Sequence, residues 1–350
     1  MLSNKGLLSV RDLVKIYKLS AKSQLSQNFI LDKNVTDKIV KSSQIDSNDL
    51  LVVEVGAGPG LLTRSILDTG ITNMIAVEKD KRFLPALMQL SEATRGVLKI
   101  IHDDMLKIDH SLILQKANIP NIDTEKIIEN NSKINKINNN SIDNIDSRES
   151  GGGDGMVRLG GGGREGKLHL IGNLPFNVAS PLLVQWMKML YKREGIFKFP
   201  NVIMTLMFQK EVGDRIAASV KDPERSRISV LVQSLCEVRK VYQLPSNIFV
   251  PQPKVDATLI QLTALSKPVL NVPVDKFEEV VRYFYGRRRK TLRAIFKTIK
   301  SRISPTEQGL LDYNLEKLEW DLTLRPEKIS SEEFCKLTKI FIENSITFPT

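Results

Sequence analysis

Asn173-Leu174-Pro175-Phe176 places an amide and an aromatic ring in one short segment, directly after the apolar run Leu168-His169-Leu170-Ile171-Gly172. That combination can hold an adenine by its amino group. At the carboxyl end of a parallel strand, where open α/β sheets bind ligands, the Asn173 side-chain oxygen and the Leu174 carbonyl can both accept hydrogen bonds from an exocyclic amine. Pro175 stiffens such a turn, and Phe176 can stack on the base. The same four residues also suit an ordinary strand-to-helix turn with a core Phe, so the rest of the chain must decide between the two.

Glu54-Val55-Gly56-Ala57-Gly58-Pro59-Gly60 follows an earlier apolar run, and its glycines lack the β-carbons that would keep a ligand away from the backbone. The dinucleotide fingerprint requires glycine or alanine where this chain has Leu61, so a pyrophosphate site is disfavoured. A nucleoside cofactor without phosphate, S-adenosylmethionine, fits better. Glu78, at the end of the next run, is placed to accept bonds from ribose hydroxyls, and Asp104, after the third, from the adenine amino group of the cofactor. An acid at a strand end is often only a helix cap. The ordered series of glycine loop, acid, acid and Asn-Leu-Pro-Phe carries more weight than any one member.

The elements that must position these residues read as alternating strands and helices. Leu51 to Val55, Met74 to Glu78, Leu98 to His102, Leu168 to Ile171 and Val202 to Phe208 are short apolar runs separated by segments that suit crossover helices, which predicts a mostly parallel sheet. Val238 to Leu244 and Thr258 to Leu262 read as two further strands, paired antiparallel across a proline-rich connection. After Lys267 the pattern turns helical. The expected division is an α/β domain over 1–265, with an N-terminal helical extension, and a small helical domain over 266–350. Nine of the twenty-seven residues from Asn118 to Asn144 are Asn and nine of the sixteen from Gly151 to Gly166 are Gly. Such a composition cannot bury enough apolar surface to order itself, so a disordered insertion is expected over about 118–166.

A formal charge of +11 implies an anionic partner, nucleic acid or an acidic membrane surface. No apolar run approaches the roughly 20 residues that span a bilayer, so no membrane-spanning segment is expected, and the distribution of the charge turns the choice from a membrane partner to nucleic acid. Arg287 to Arg302 contains eight Lys or Arg and no acid. Helical spacing gathers Arg289, Arg293, Lys297 and Lys300 on one face beside the apolar stripe Leu292, Phe296, Ile299 and Ile303. Phosphate contacts are the reading adopted, against a merely solvated face. Arg11, Lys15, Lys18 and Lys22 form a second basic helical side, which fits an organellar presequence or a basic helix of the mature chain equally. Cys236 and Cys335 lack metal-ligand spacing, and His102, His110 and His169 have no paired nucleophile, so neither a metal nor a histidine mechanism is expected.

On these motifs the chain resembles the ribosomal RNA adenine dimethyltransferases, most closely their mitochondrial branch. Ser26-Gln27-Asn28-Phe29-Ile30-Leu31-Asp32 looks like the family's N-terminal cofactor motif, Val77-Glu78-Lys79 its ribose acid, and Asp103-Asp104-Met105 its adenine-side segment. Phe249-Val250-Pro251-Gln252-Pro253-Lys254-Val255-Asp256 resembles its second substrate motif, and Arg288-Arg289-Lys290-Thr291-Leu292-Arg293 its basic signature. The resemblance implies a Rossmann-like class I S-adenosylmethionine-dependent methyltransferase sheet of seven strands with a small C-terminal helical domain. It implies that Gln27, Asn28, Ile30, Gly56, Gly58, Glu78, Lys79, Asp104, Met105 and Asn173 surround the cofactor. Phe176 and Phe249 would sandwich the target adenine, with Leu174 and Pro175 completing the turn. Asp103 stands where relatives often have glycine, which leaves open whether Asp103 or Asp104 faces the cofactor.

The implied activity is N6,N6-dimethylation of two adjacent adenines in a 3′-terminal hairpin loop of mitochondrial small-subunit rRNA, on the immature ribosomal subunit. Arg288, Arg289, Lys290, Arg293, Lys297 and Lys300 would bind the RNA. The branch also implies a mitochondrial location. The motif chemistry alone would allow a DNA adenine methyltransferase, and the family leaves a nonenzymatic alternative, a factor assisting the mitochondrial transcription machinery.

Overall fold

The structure, a computed structural model, describes residues 28–119 and 166–346 together with Ser9, Val10 and Asp12. Gln27, the rest of the basic N-terminal segment and the Asn/Gly-rich stretch over 120–165 lie outside the described residues. Nine strands are described: β1 (Phe29–Ile30), β2 (Leu51–Val55), β3 (Met74–Glu78), β4 (Leu98–His102), β5 (Leu168–Gly172), β6 (Val202–Gln209), β7 (Cys236–Leu244), β8 (Phe249–Val250) and β9 (Ala257–Ala264).

Seven of them form one sheet in the order β4-β3-β2-β5-β6-β9-β7. From β4 to β6 neighbouring strands run parallel, and β9 then pairs antiparallel with both β6 and β7. Strands β2, β3 and β5 are buried along their whole length, as continuous apolar runs must be when helices cover both faces. The period of two divides their side chains between the faces. Leu51, Val53, Val55, Leu168 and Leu170 enter one apolar cluster, while Val52, Met74, Ala76 and Ile171 enter the other.

Helices α1 (Lys33–Ser43), α2 (Leu61–Leu67) and α3 (Leu84–Ala93) supply Ile39, Ile66 and Leu87 to the second cluster. Helices α4 (His110–Lys116), α5 (Phe176–Lys192), α6 (Lys210–Ala217) and α7 (Arg227–Gln233) cover the first face, where Trp186 of α5 is fully buried. That cluster runs on without a break into α8 (Val274–Tyr285), α9 (Leu292–Lys300), α10 (Pro305–Lys317) and α11 (Ser331–Glu343), through Phe277, Phe284, Phe296 and Phe334. Phe284 meets Phe296 and Phe334 edge-on, with centroids 5.6 and 6.0 Å apart.

The long-range strands occur where the apolar runs predict them. One pairing has no counterpart in the sequence reading: β1 and β8 form a separate antiparallel ribbon, Phe29 opposite Val250 and Ile30 opposite Phe249. Asn118 and Ile119 finish α4. Asn118 takes a left-handed conformation with φ 56°, the Ile119 N–H donates to the Leu114 carbonyl at 3.0 Å, and the Ile119 side chain joins the core. That is the hydrogen bond and apolar contact of a helix stop.

Candidate active site

The chain leaves β2 through β3 and β4 on one side and returns to β5 on the other. The order therefore reverses between β2 and β5, which opens a crevice at their carboxyl ends. The glycine loop follows β2 and the Asn173 turn follows β5, so both edge the same cleft. Gly56, Gly58, Glu54, Glu78, Asn173 and Pro175 line it, together with Asn28, Phe29 and Ile30 from the β1 segment.

Gly56, Gly58 and Gly60 have φ of 72°, 54° and 86°, a region that side chains with a β-carbon rarely adopt. Gly172 is constrained differently. A β-carbon there would sit 2.5 Å from the Val55 carbonyl oxygen of β2. Only glycine lets β5 lie this close to β2 just before the Asn173 turn.

Two acids stand beneath the loop. Glu78 Oε2 accepts the Gly58 N–H at 2.8 Å and Oε1 accepts the Asp80 N–H at 2.7 Å, so the carboxylate ties the loop to β3. Burial raises its pKa above the ordinary carboxylate value, and those two backbone donors oppose the rise. Each oxygen retains a lone pair for a ligand hydroxyl. Glu54, which by sequence is only the start of the loop, is 1% exposed, and neither carboxyl oxygen has a hydrogen-bond partner among the described residues. Burial pushes its pKa up to about 8; the Thr63 hydroxyl, near the carboxyl but not in a formed hydrogen bond with it, pulls partly back, and the Glu78 charge pushes further up. The signal in the sequence is an acid inside the otherwise apolar Leu51-Val52-Val53-Glu54-Val55, a strand with no solvent face to receive it.

Lys79 and Asp104 pair with each other at 2.7 Å, across the ends of β3 and β4. Asp104 also accepts the Leu106 N–H at 3.1 Å. Burial works against its charge, but Lys79 and that N–H hold its carboxyl below the ordinary value. Asp103 Oδ1 instead accepts the Asp104 N–H. Met105 is buried, and neither it, Lys79 nor Asp104 lines the cleft of the glycine loop.

Asn173 is half-buried, and its Nδ2 donates to the Asn28 main-chain carbonyl at 2.7 Å. The Leu174 carbonyl accepts no hydrogen bond among the described residues, and its side chain is buried. Pro175 caps α5, and Phe176, half-buried, opens that helix and packs against the apolar cluster that contains Phe249. Phe249 itself is 2% exposed, held inside by the β1–β8 ribbon and by Ile30 and Met207 of the same cluster. The structure thus brings Asn173, Phe176 and the glycine loop to one edge but does not present Phe249 as an open wall.

The basic signature divides in two. Arg289, Lys290, Arg293 and Lys297 are exposed on and before α9. Arg288 donates to the Pro223 carbonyl and lies 4.0 Å from Glu327, and Lys300 pairs with Asp312 of α10. His169, fully buried, lies 3.0 Å from Asp49 at the far end of the sheet. His110 is buried at the start of α4, and burial pushes its pKa down to about 4. Both cysteines are buried thiols, with Cys236 pushed up to about 12.

The sequence profile described as Ribosomal RNA adenine dimethylase matches residues 18–332. The chain is 35% identical to the human protein named Dimethyladenosine transferase 1, mitochondrial, over 95% of this chain and 84% of that one. It is 34% identical to the protein of that name from Vermamoeba vermiformis, over 95% and 94% of the two chains. Among solved structures, a dimethyladenosine transferase from Plasmodium falciparum superposes with a TM-score of 0.62 at 23% identity, covering 91% of this chain and 98% of that one. The 23S rRNA methyltransferase ErmE gives 0.54 at 18%, covering 89% and 99%. At these identities the two structures speak for the fold alone.

Proposed function

The chain belongs to the ribosomal RNA adenine dimethylase family, and from that premise we propose that it transfers methyl groups from S-adenosylmethionine to N6 of adenines in mitochondrial small-subunit rRNA, twice per adenine. The observation that carries the reading is the meeting of Asn173 with the glycine loop at the crevice between β2 and β5. An acceptor for an adenine amine and a cradle for a nucleoside cofactor are on adjacent strands.

The residues present fit that cofactor. Its sulfonium supplies an electrophilic methyl group when bound. The left-handed glycines leave a cradle without side chains, Glu78 can accept from ribose hydroxyls, and the buried Glu54 carboxyl can pair with a cationic group that displaces its proton. No phosphate-binding feature is needed.

Adenine N6 is a poor nucleophile because its lone pair is delocalised into the ring. Asn173 Oδ1 and the Leu174 carbonyl can each take one N6 hydrogen, which localises the lone pair and turns it toward the cofactor side of the cleft. Orientation and fixed dipoles then raise the nucleophilicity of N6 without a general base, and the proton that N6 must shed after gaining a methyl group passes to solvent. No histidine is assigned a step: His169 and His110 are buried, and His102 is exposed with its Nε2 at 3.1 Å from the Lys79 carbonyl. The base must leave its stack to reach Asn173, which favours adenines in an RNA loop such as a 3′-terminal hairpin. Arg289, Lys290, Arg293 and Lys297 of the C-terminal helical part are the exposed cations offered to its phosphates. The mitochondrial assignment rests on the names of the curated relatives.

Methyl transfer to immature small-subunit RNA, with mass spectrometry of the product nucleosides, tests the reading. Dimethyladenosine at adjacent loop adenines is expected. A folded protein that binds the cofactor and leaves the RNA unmodified while stimulating promoter-dependent transcription would overturn it in favour of the nonenzymatic alternative.

A further inference from the structure

A primary amide has two ends of nearly equal size, and only one of them serves an adenine amine. With Oδ1 toward the base, Asn173 accepts an N6 hydrogen. With the NH2 toward the base, two donors face each other and the lone pair is not localised. Something must therefore choose the end. The atom 2.7 Å from Asn173 Nδ2 is the Asn28 main-chain carbonyl oxygen, 145 residues away in sequence. A carbonyl only accepts. A flipped amide would set two oxygens against each other at that distance, so the contact admits the NH2 and excludes the oxygen.

The carbonyl is itself held in place. Asn28 leads directly into β1, where Ile30 stands opposite Phe249 of β8, and both side chains are buried in one apolar cluster. The Phe29 ring meets Phe83 edge-on at 5.3 Å and lines the same cleft as Gly58, where a β-carbon would lie 3.5 Å from the ring. The ribbon therefore fastens the segment to the glycine loop on one side and to the Phe249 segment on the other.

Resting on the function proposed above, we propose that the Asn28 carbonyl, held by the β1–β8 ribbon, is a positioning group that locks the Asn173 amide with its oxygen toward the target base. Phe249 then serves as the anchor of that lock. The N-terminal segment, which also lines the cofactor cleft, sets the geometry of the base turn.

Asn173→Asp separates this from a simple requirement for an acceptor. The carboxylate keeps an acceptor for N6 but sets a second oxygen against the Asn28 carbonyl, and protonation restores a donor there. Single-turnover methylation at saturating cofactor is read as the ratio of variant to parent at each pH. The ratio should be down by about 10²-fold or more near pH ~8, a loss of the size seen when one oriented group is removed. It should climb as pH falls toward ~5, because a carboxyl facing a carbonyl titrates above its ordinary value. A variant equal to the parent at the higher pH, or a ratio that does not change with pH, overturns the proposal. A second readout needs no activity. In parent protein without RNA, the Asn173 side-chain amide protons, followed by NMR, should exchange with solvent more slowly than those of exposed asparagines. Exchange at the exposed rate overturns the lock whatever the enzyme does, whereas an inactive parent with protected protons overturns the function and leaves the lock standing.

Discussion

Glu54 has the most unusual environment of the acids in the cleft. Its folded pKa of about 8 stands above the ordinary 4.5, so the folded chain keeps a proton that the unfolded chain gives up. The stability tied to that proton is full below about 4.5, declines as pH rises through the interval, and is gone above about 8. Glu54→Gln should therefore lose less thermal stability than the parent between pH ~5 and ~8, a difference that paired melting curves measure. Parallel curves would mean the carboxyl is already ionised in the fold. The glycine loop and Glu78 are legible in the sequence by type and spacing, because a turn without β-carbons and an acid at a strand end are local features. The orphaned state of Glu54 is not, since it depends on what surrounds β2 on both faces. Nor is the burial of Phe249. A ring in a motif looks the same whether it lines a pocket or fills a core, and here the ribbon with β1 draws it inward.

At the scale of elements, the approach of β5 to β2 decides where the Asn173 turn begins. Gly172→Ala would push a methyl group to 2.5 Å from the Val55 carbonyl. The central strands must part, and overpacking of that kind costs about 1–3 kcal/mol. Denaturant unfolding should show that loss, together with weaker cofactor binding because the glycine loop follows β2. Unchanged stability would show that the two backbones can separate freely. The five parallel strands are legible because burial writes most of each as a short apolar run. The run is complete in the fully buried β2, β3 and β5 but for Glu54, Glu78 and His169, and looser in β4, where Lys99 is half-buried and His102 exposed. The β1–β8 ribbon is not, since two-residue strands carry no periodicity and their pairing spans more than two hundred residues. Composition assigns Asn118 and Ile119 to the insertion, but one supplies the left-handed stop of α4 and the other its apolar contact. The remainder of that expected insertion, 120–165, lies outside the described residues.

For the whole molecule, the charge of +11 divides into cations that hold the fold and cations that face solvent. Arg288 and Lys300 are engaged with Pro223 and Asp312, whereas Arg289, Arg293 and Lys297 are exposed. A run of like charges in the sequence cannot make that division, because it depends on the loop and helix packed opposite. Neutralising the three exposed residues together should weaken RNA binding across sequences and lower the slope of log affinity against log salt by about 0.7–0.9 for each phosphate no longer neutralised. A variant that keeps the parental slope would place the RNA footprint elsewhere. Sheet, ribbon and C-terminal helices converge on one proposition, that Asn173 localises the N6 lone pair of an unstacked adenine beside the cofactor loop. Its most direct test is single-turnover methyl transfer to small-subunit RNA at saturating S-adenosylmethionine, parent against folded Asn173→Ala, with cofactor affinity measured separately. The account predicts dimethyladenosine from the parent and a rate lower by roughly 10²–10³ in the variant, whereas near-parental dimethyladenosine from Asn173→Ala would contradict it.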